Sequence, residues 1–340
     1  VTSPTPQAIE ERDVARQPPL TSDDLRDRMQ PLVLRGLVAD WPMVQAARRS
    51  DTDFARLLAE ADAGEDVDVL LMAPEEEGVV GYNASFDGFN YEHHRVPVTQ
   101  GLKRLAAYSR ASGPVPGLAI QSAPLARCLP SLRESHRLPF LAPSVEPRIW
   151  IGNRVTTPVH FDEYHNIACV VCGRRRFTLF PPEQVHNLYI GPPDFAPTGA
   201  AIGVARLDRP DDPRYPRLRE ALAHAQAAVL EPGDALYLPP MWWHHVASLE
   251  RINALVNFWW PQALAEGVAA PTGLGGLMHA ILAFRGLPPE QRAAWRTLLD
   301  HFVFDDADPL AHVPEASKGV LGTPSAETVA ALRERVRKYL

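Results

Sequence analysis

The chain has 340 residues, 46% of them hydrophobic and 22% charged, with a formal net charge of −7; this is ordinary for a soluble globular protein and long enough for two domains or one large β-barrel. The negative balance argues against a broad nucleic-acid footprint, and without any apolar run of about 18 residues no membrane span is expected. The N-terminus has neither a basic start nor an apolar core that would mark a secretory signal, and three cysteines, an odd number, suit a reducing compartment, so a cytoplasmic location is expected.

In chain order, residues 1–22 are polar and Pro-rich and read as an extended arm. Thr21, Ser22, Asp23 and Asp24 offer N-caps for a short helix reaching about Met29. Residues 31–36 form a compact strand ending in glycine, and Asp40-Trp41-Pro42 starts a turn. The spacing of Phe54, Leu57, Leu58 and Ala61 predicts a helix over 51–63. Strands are expected at 67–72 and 79–83, around an acidic loop at 74–77 that reads as a solvated turn. Residues 81–98, rich in aromatic, Asn and His side chains without periodicity, read as a loop, either a wall of a substrate cleft or a plainly packed segment. A helix follows over 98–109, then strands at 118–121 and 148–152.

Residues 157–182, TPVHFDEYHNIACVVCGRRRFTLFPP, carry the strongest signal. They read as strands, 155–164 leading into 167–180, stopped by Pro-Pro. Side chains two apart in a strand share a face, so His160 and Asp162 present an imidazole and a carboxylate together. Residues 230–249, LEPGDALYLPPMWWHHVASL, supply a Pro-Gly-Asp turn, a strand at 235–238 and a Pro-Pro stop just before Trp242, Trp243, His244 and His245. Two histidines and one carboxylate match the facial triad of non-haem Fe(II) oxygenases, which leaves metal positions open for co-substrate and dioxygen. A His-x-Asp triplet alone is weak in a chain with 12 histidines; the ordered conjunction of elements around it carries the reading. Cys169 and Cys172 form a C-x-x-C, but three apart in a strand they face opposite sides, so core packing is expected rather than a disulfide or a shared metal. His93 and His94 diverge in the same way and are not expected to be ligands.

Residues 191–217 hold many Pro, Gly and Asp and few strand signals, with a helix expected over 218–228. A loop this long is either a lid or binding element or a surface excursion. After Trp260 the pattern turns helical, at 263–269, 275–285, 288–304 and 326–340.

The patterns TPxHxDExxN, GxxRxxLFPP, PGDxLYxPxxWWHHxxSL and NFWW resemble the JmjC-type cupin family, most of all its asparaginyl hydroxylase branch, from about residue 31 onward and most densely over 148–260. The resemblance implies a mainly β fold: a double-stranded β-helix, or jelly roll, at 140–262, with flanking N-terminal α/β elements at 1–139. It also implies a C-terminal helical region at 263–340 that serves as a dimerisation segment, or, in the plainer alternative, caps a monomer. It implies Fe(II), with 2-oxoglutarate and dioxygen as co-substrates. The metal would be held by His160, Asp162 and His244, His245 being a packed neighbour. Arg175 stands where the branch has a lysine for the distal carboxylate of 2-oxoglutarate, a role a guanidinium can fill, while Arg174 and Arg176 point to the other face. Thr157, Asn166, Asn257 and Trp259 match positions around the co-substrate, and Trp243 reads as core. Tyr82, Asn83 and Glu163 are candidates for the substrate side. Ala119 stands where the branch has a tyrosine touching 2-oxoglutarate. The implied reaction couples decarboxylation of 2-oxoglutarate to hydroxylation of a C–H bond, on a protein or peptide side chain. Alternatives are hydroxylation of a small molecule or nucleoside, N-methyl-lysine demethylation (disfavoured because JmjC demethylases generally carry Glu where this chain has Asp162) and a non-catalytic metal-binding cupin.

Overall fold

The computed structural model describes residues 4–16, 21–261, 263–265, 268–269, 272–323 and 325–338. Two units are distinguished, Val1–Trp260 and Pro261–Leu340. The first opens with β1 (Gln7–Ala8), β2 (Glu11–Asp13), α1 (Ser22–Arg26), β3 (Leu32–Arg35), α2 (Pro42–Arg49), α3 (Asp51–Ala61), β4 (Asp66–Met72), β5 (Tyr91–Pro97), α4 (Val98–Arg110), β6 (Gly117–Pro124) and α5 (Leu125–Cys128). It continues with β7 (Arg148–Gly152), β8 (Thr156–His160), β9 (His165–Cys172), β10 (Arg175–Phe180), α6 (Leu218–Ala223), β11 (Gln226–Leu230), β12 (Ala235–Leu238), β13 (Trp243–Ser248) and β14 (Asn253–Trp260).

These strands form a five-stranded sheet, β1-β11-β10-β13-β8, and a nine-stranded sheet, β2-β3-β12-β9-β14-β7-β6-β4-β5. Alternation along each strand decides what meets what. Phe177 and Leu179 of β10 and Val246 of β13 join Ala168, Val170, Leu236, Leu238 and Leu255 of the larger sheet in a core between the two sheets. The intervening residues Ile167, Cys169 and Val171 of β9 turn the other way, into a larger core with Phe54 and Leu58 of α3 and Leu102 and Leu105 of α4. The mainly β architecture with flanking helices is therefore the one the sequence predicts. Segment 181–217 covers the outer face of the smaller sheet, where Leu188 and Ala205 pack with Val159, Phe180 and Trp243.

Several elements differ from expectation for identifiable reasons. The N-terminal arm enters both sheets, β1 pairing with β11 and β2 with β3, both parallel. The run 167–180 breaks at Gly173, whose φ of 68° and close approach to Asn253 and Ile252, where a Cβ would sit 2.5 Å from oxygen atoms, let the chain cross from one sheet to the other. Asp40-Trp41-Pro42, expected to start a turn, leads instead into α2, with Pro42 in its first turn, where the missing N–H is no loss. Residues 79–83 make only isolated bridges, whereas 91–97, expected as loop, form strand β5 against β4. The helix expected over 218–228 stops at Ala223, and 226–230 pair with β10 instead. Cys169 and Cys172 are free and buried, but both enter the same core: a register shift opposite them, between Ala254 and Leu255, interrupts the alternation.

The second unit, Pro261–Leu340, has a short strand pair, β15 (Ala263–Ala265) and β16 (Val268–Ala269), where the sequence predicts a helix; residues 262, 266, 267, 270 and 271 lie outside the described residues. Then come α7 (Gly273–Phe284), α8 (Pro289–Leu299) with a π-helical turn Asp300–Phe304, and α9 (Ala326–Arg337). No described residue of these three helices is buried. Among the described residues no helix is long and apolar enough to cross a membrane.

Candidate metal centre

The site lies at one end of the β8–β13 ladder. His160 closes β8 and is the register partner of His244 in β13. Their rings sit 4.1 Å apart, centroid to centroid. Asp162 follows in the turn after β8, and its carbonyl accepts a 2.9 Å hydrogen bond from the Met241 N–H, which fixes that turn to the one entering β13. Met241 adopts a left-handed φ of 68° to do so. One ligand atom from each of His160, Asp162 and His244 lies within 4.8 Å of the others, and His244 Nε2 is 3.8 Å from Asp162 Oδ2.

Both imidazoles are oriented by backbone. His160 Nδ1–H donates to the Pro158 carbonyl at 2.8 Å, and His244 Nδ1–H donates to the Trp242 carbonyl at 3.0 Å. That tautomer leaves each Nε2 lone pair free for a metal. Burial, with the neighbouring His160 imidazole as a second cause, holds the His244 pKa below the usual histidine range, so the ring is neutral and ligand-competent at neutral pH.

The carboxylate is held as tightly. Asp162 Oδ2 accepts from Asn166 Nδ2 at 3.0 Å and from Trp259 Nε1 at 2.9 Å, which fixes the carboxylate beside the two imidazoles. Behind it, Asn257 Nδ2 donates to Asn166 Oδ1 at 3.4 Å, and Trp150 Nε1 donates to Asn257 Oδ1 at 2.9 Å. Asn166, Asn257 and Trp259 thus meet around Asp162. Trp150 was not among the sequence-predicted site residues. The signal was available: Ile149 and Ile151 belong to the outer core while Trp150 packs on the inner one, as a period of two requires.

Arg175 opens β10 opposite Ser248, four residues from Leu179, the partner of His244, or about 13 Å along the strand. It is 8% exposed, and its Nε has no hydrogen-bond partner. Burial lowers its pKa to about 10, which keeps it charged at neutral pH. An unpaired buried guanidinium is costly, and a dicarboxylate reaching down from the metal would satisfy it. The residues present therefore fit both the metal and 2-oxoglutarate. Thr157 pairs with Val246, which pairs on its other side with Phe177 of β10, two residues from Arg175. Arg174 turns outward to Glu250 at 2.7 Å, and Arg176 is exposed.

Other candidates lie apart from the triad's contacts. Tyr82 donates its hydroxyl to the Phe195 carbonyl at 2.7 Å, and Asn83 donates to Asp87 at 2.8 Å. Glu163 is partly exposed in the turn beside Asp162. His93 and His94 face Asp68 and Glu92 at the surface. His245 pairs with Thr178 in the β10–β13 ladder, and burial lowers its pKa to about 4. Ala119 sits in a small apolar cluster with Leu70, Met72, Val80 and Val155, which offers 2-oxoglutarate no hydroxyl there.

Residues 18–266 match the family model described as a cupin-like domain. Jumonji C domain-containing protein 5 of Drosophila melanogaster is 38% identical over 118 residues, 34% of this chain and 28% of that protein. Lysine-specific demethylase JMJ31 of Arabidopsis thaliana is 37% identical over 113 residues, 33% of this chain and 20% of that one. Human HSPB1-associated protein 1 is 36% identical over 118 residues, 34% and 23% respectively. The aligned stretch thus spans less than a third of each of these relatives. Among solved structures, E. coli ycfD is similar over 95% of this chain and 68% of that one at 17% identity and a TM-score of 0.43, a level at which no residue role carries across. By its domain match and its relatives, the chain belongs to the JmjC-type cupin-like family.

Proposed function

We propose that this protein is a 2-oxoglutarate- and Fe(II)-dependent oxygenase that hydroxylates a C–H bond on a protein or peptide side chain. The family is one of 2-oxoglutarate/Fe(II) oxygenases and demethylases, and the observation that carries the reading to this chain is the pairing of two sites. One is a triad whose imidazole tautomers are already set for metal; the other is a buried cation with an unsatisfied Nε deeper between the sheets. A cupin that only held metal would not need the second. Bound there, Fe(II) and 2-oxoglutarate supply dioxygen activation coupled to release of succinate and carbon dioxide. His160, Asp162 and His244 would hold the metal, Arg175 and Thr157 would orient the co-substrate, and the Trp150, Asn257, Asn166 and Trp259 network holds the Asp162 carboxylate in place.

A protein substrate is favoured by the relative named a lysine-specific demethylase, whose name gives a protein side chain as its target. The same name supports demethylation as the second reading. Anaerobic titration with Fe(II) and then 2-oxoglutarate tests the site: a weak visible charge-transfer band is expected, and bound metal without that band would leave only a metal-binding cupin. With peptide pools, gain of one oxygen supports hydroxylation, and release of formaldehyde supports demethylation.

We further infer that the C-terminal unit pairs with a second copy of the chain. Leu282, Val303 and Phe304 are 80%, 61% and 71% exposed, an apolar surface that one copy leaves open to water. Sedimentation of wild type and Leu282→Glu/Phe304→Glu is expected to show a dimer and a monomer respectively.

A further inference from the structure

β8 carries the first metal ligand, yet within its sheet it is an edge strand with one partner, β13, and the register with that partner slips between His244 and Val246. An edge strand left in that state frays and offers its free groups to other chains. Here two loops bond to its backbone at both ends of the strand. Thr156 N–H donates to the Gly78 carbonyl at 2.9 Å, and the Thr156 carbonyl accepts from Val80 N–H at 3.1 Å. Pro158 has no N–H to satisfy. The Val159 carbonyl accepts from Gly203 N–H at 2.7 Å.

The loops that supply these groups, around 76–91 and 189–209, are far apart in the chain and are fastened to each other at two points. Glu77 meets Arg206 at 2.5 Å and Arg209 at 2.7 Å. Tyr82 donates to the Phe195 carbonyl, and Phe195 stacks on Phe89 with centroids 4.9 Å apart. Glycine stands where the parts meet. A Cβ at Gly203 would lie 2.9 Å from the Leu188 carbonyl oxygen and 3.3 Å from Val159, one at Gly191 2.8 Å from the Tyr82 ring, and one at Gly78 against the Arg154 carbonyl.

We propose that the two loops form a splint for the metal-bearing strand, in which Glu77, Tyr82 and Gly203 are positioning residues that fix His160 relative to His244. The inference rests on the reading of His160 as a metal ligand. It gives Tyr82 a role in holding the metal strand instead of in substrate contact, and it explains why segment 181–217 is ordered against the sheet.

The test compares full-length wild type with Gly203→Ala, Tyr82→Ala, Tyr82→Phe and, as a surface ion-pair control away from the splint, Glu11→Ala. Binding of Mn(II), a probe that does not react with dioxygen, is titrated for each, and amide exchange is followed at Thr156, Val80 and Gly203. Gly203→Ala and Tyr82→Ala are expected to weaken Mn(II) binding tenfold or more and to speed exchange at those amides, with Tyr82→Phe, which keeps the ring contact with Phe195 but loses the hydroxyl bond, falling between them and wild type. Glu11→Ala is expected to leave both unchanged. Wild-type affinity and exchange in Gly203→Ala and Tyr82→Ala would overturn the splint, as would an equal loss of affinity in Glu11→Ala. If wild type itself bound no Mn(II), the metal reading would fall, and the exchange data would still decide whether these loops hold β8.

Discussion

His160 and His244 face each other across the β8–β13 ladder, and each is aimed by the carbonyl two residues before it, Pro158 for one and Trp242 for the other. The same local device is thus used twice to turn Nε2 toward one point. His245, one residue on, cannot share it, because its side chain leaves the opposite face of the strand. His160→Ala and His244→Ala should each lower Fe(II) affinity more than about 100-fold, beyond what loss of a supporting residue costs, and abolish succinate formation. His245→Ala should keep metal binding, and loss of metal in that variant would transfer the ligand role to it.

The network behind Asp162 predicts a graded effect. Asn257 touches Asp162 only through Asn166, whereas Trp259 donates to it directly. Trp259→Phe keeps the ring and removes the donor, and Asn257→Ala loosens Asn166. Metal affinity should fall about 10- to 100-fold in the first and less in the second. Isothermal titration with Mn(II) reads this, and equal affinity in all three proteins would show that the hydrogen bonds do not orient the carboxylate.

The clustering of His160, Asp162 and His244 was legible because its signals are local: a two-residue spacing, a turn signal and a Pro-Pro stop each fix where a side chain points, whereas Arg175 was singled out only by the family resemblance. The splint was not, since Gly78, Gly191 and Gly203 look like ordinary loop glycines until the distant segments they let approach are known. Strand β5 escaped notice because it lies at a sheet edge with Glu92, His93 and Arg95 exposed, so it lacks the apolar alternation that marks a strand. The helix expected to run to 228 was interrupted because pairing with β10 overrides the helix preference of an Ala-rich segment. β15 and β16 show the same conflict over 263–269.

Arg175 sets stability against function. Its buried guanidinium has an unsatisfied Nε and a pKa lowered by burial alone, so the protein without co-substrate bears that desolvation. Arg175→Met should stabilise this form by about 1 kcal/mol or more while removing the co-substrate's anchor. Urea unfolding with and without 2-oxoglutarate, metal present, measures both: wild type gains stability on addition and the variant does not. A variant less stable than wild type, or one still stabilised by 2-oxoglutarate, would refute the anchoring role.

His136 predicts how the fold responds to acid. It is fully buried, its Nδ1–H donates to the Leu132 carbonyl at 2.7 Å, and its Nε2 accepts the Met43 N–H at 3.2 Å, one of the otherwise unpaired donors in the first turn of α2. Only the neutral ring can accept there, and burial lowers its pKa from 6.5 to about 4. The unfolded chain therefore takes up a proton first as pH falls, so this stabilisation is complete above about 6.5 and is lost progressively down to about 4. Between pH 7.5 and 5 the loss attributable to His136 should be about 2 kcal/mol. Metal-free wild type and His136→Gln, which cannot titrate, should differ by that amount in the change of unfolding free energy between pH 7.5 and 5, since other buried histidines contribute equally to both. Parallel slopes would mean that His136 takes up its proton at the same pH in the folded and unfolded chain, so that its burial and its bond to Met43 do not hold the ring neutral.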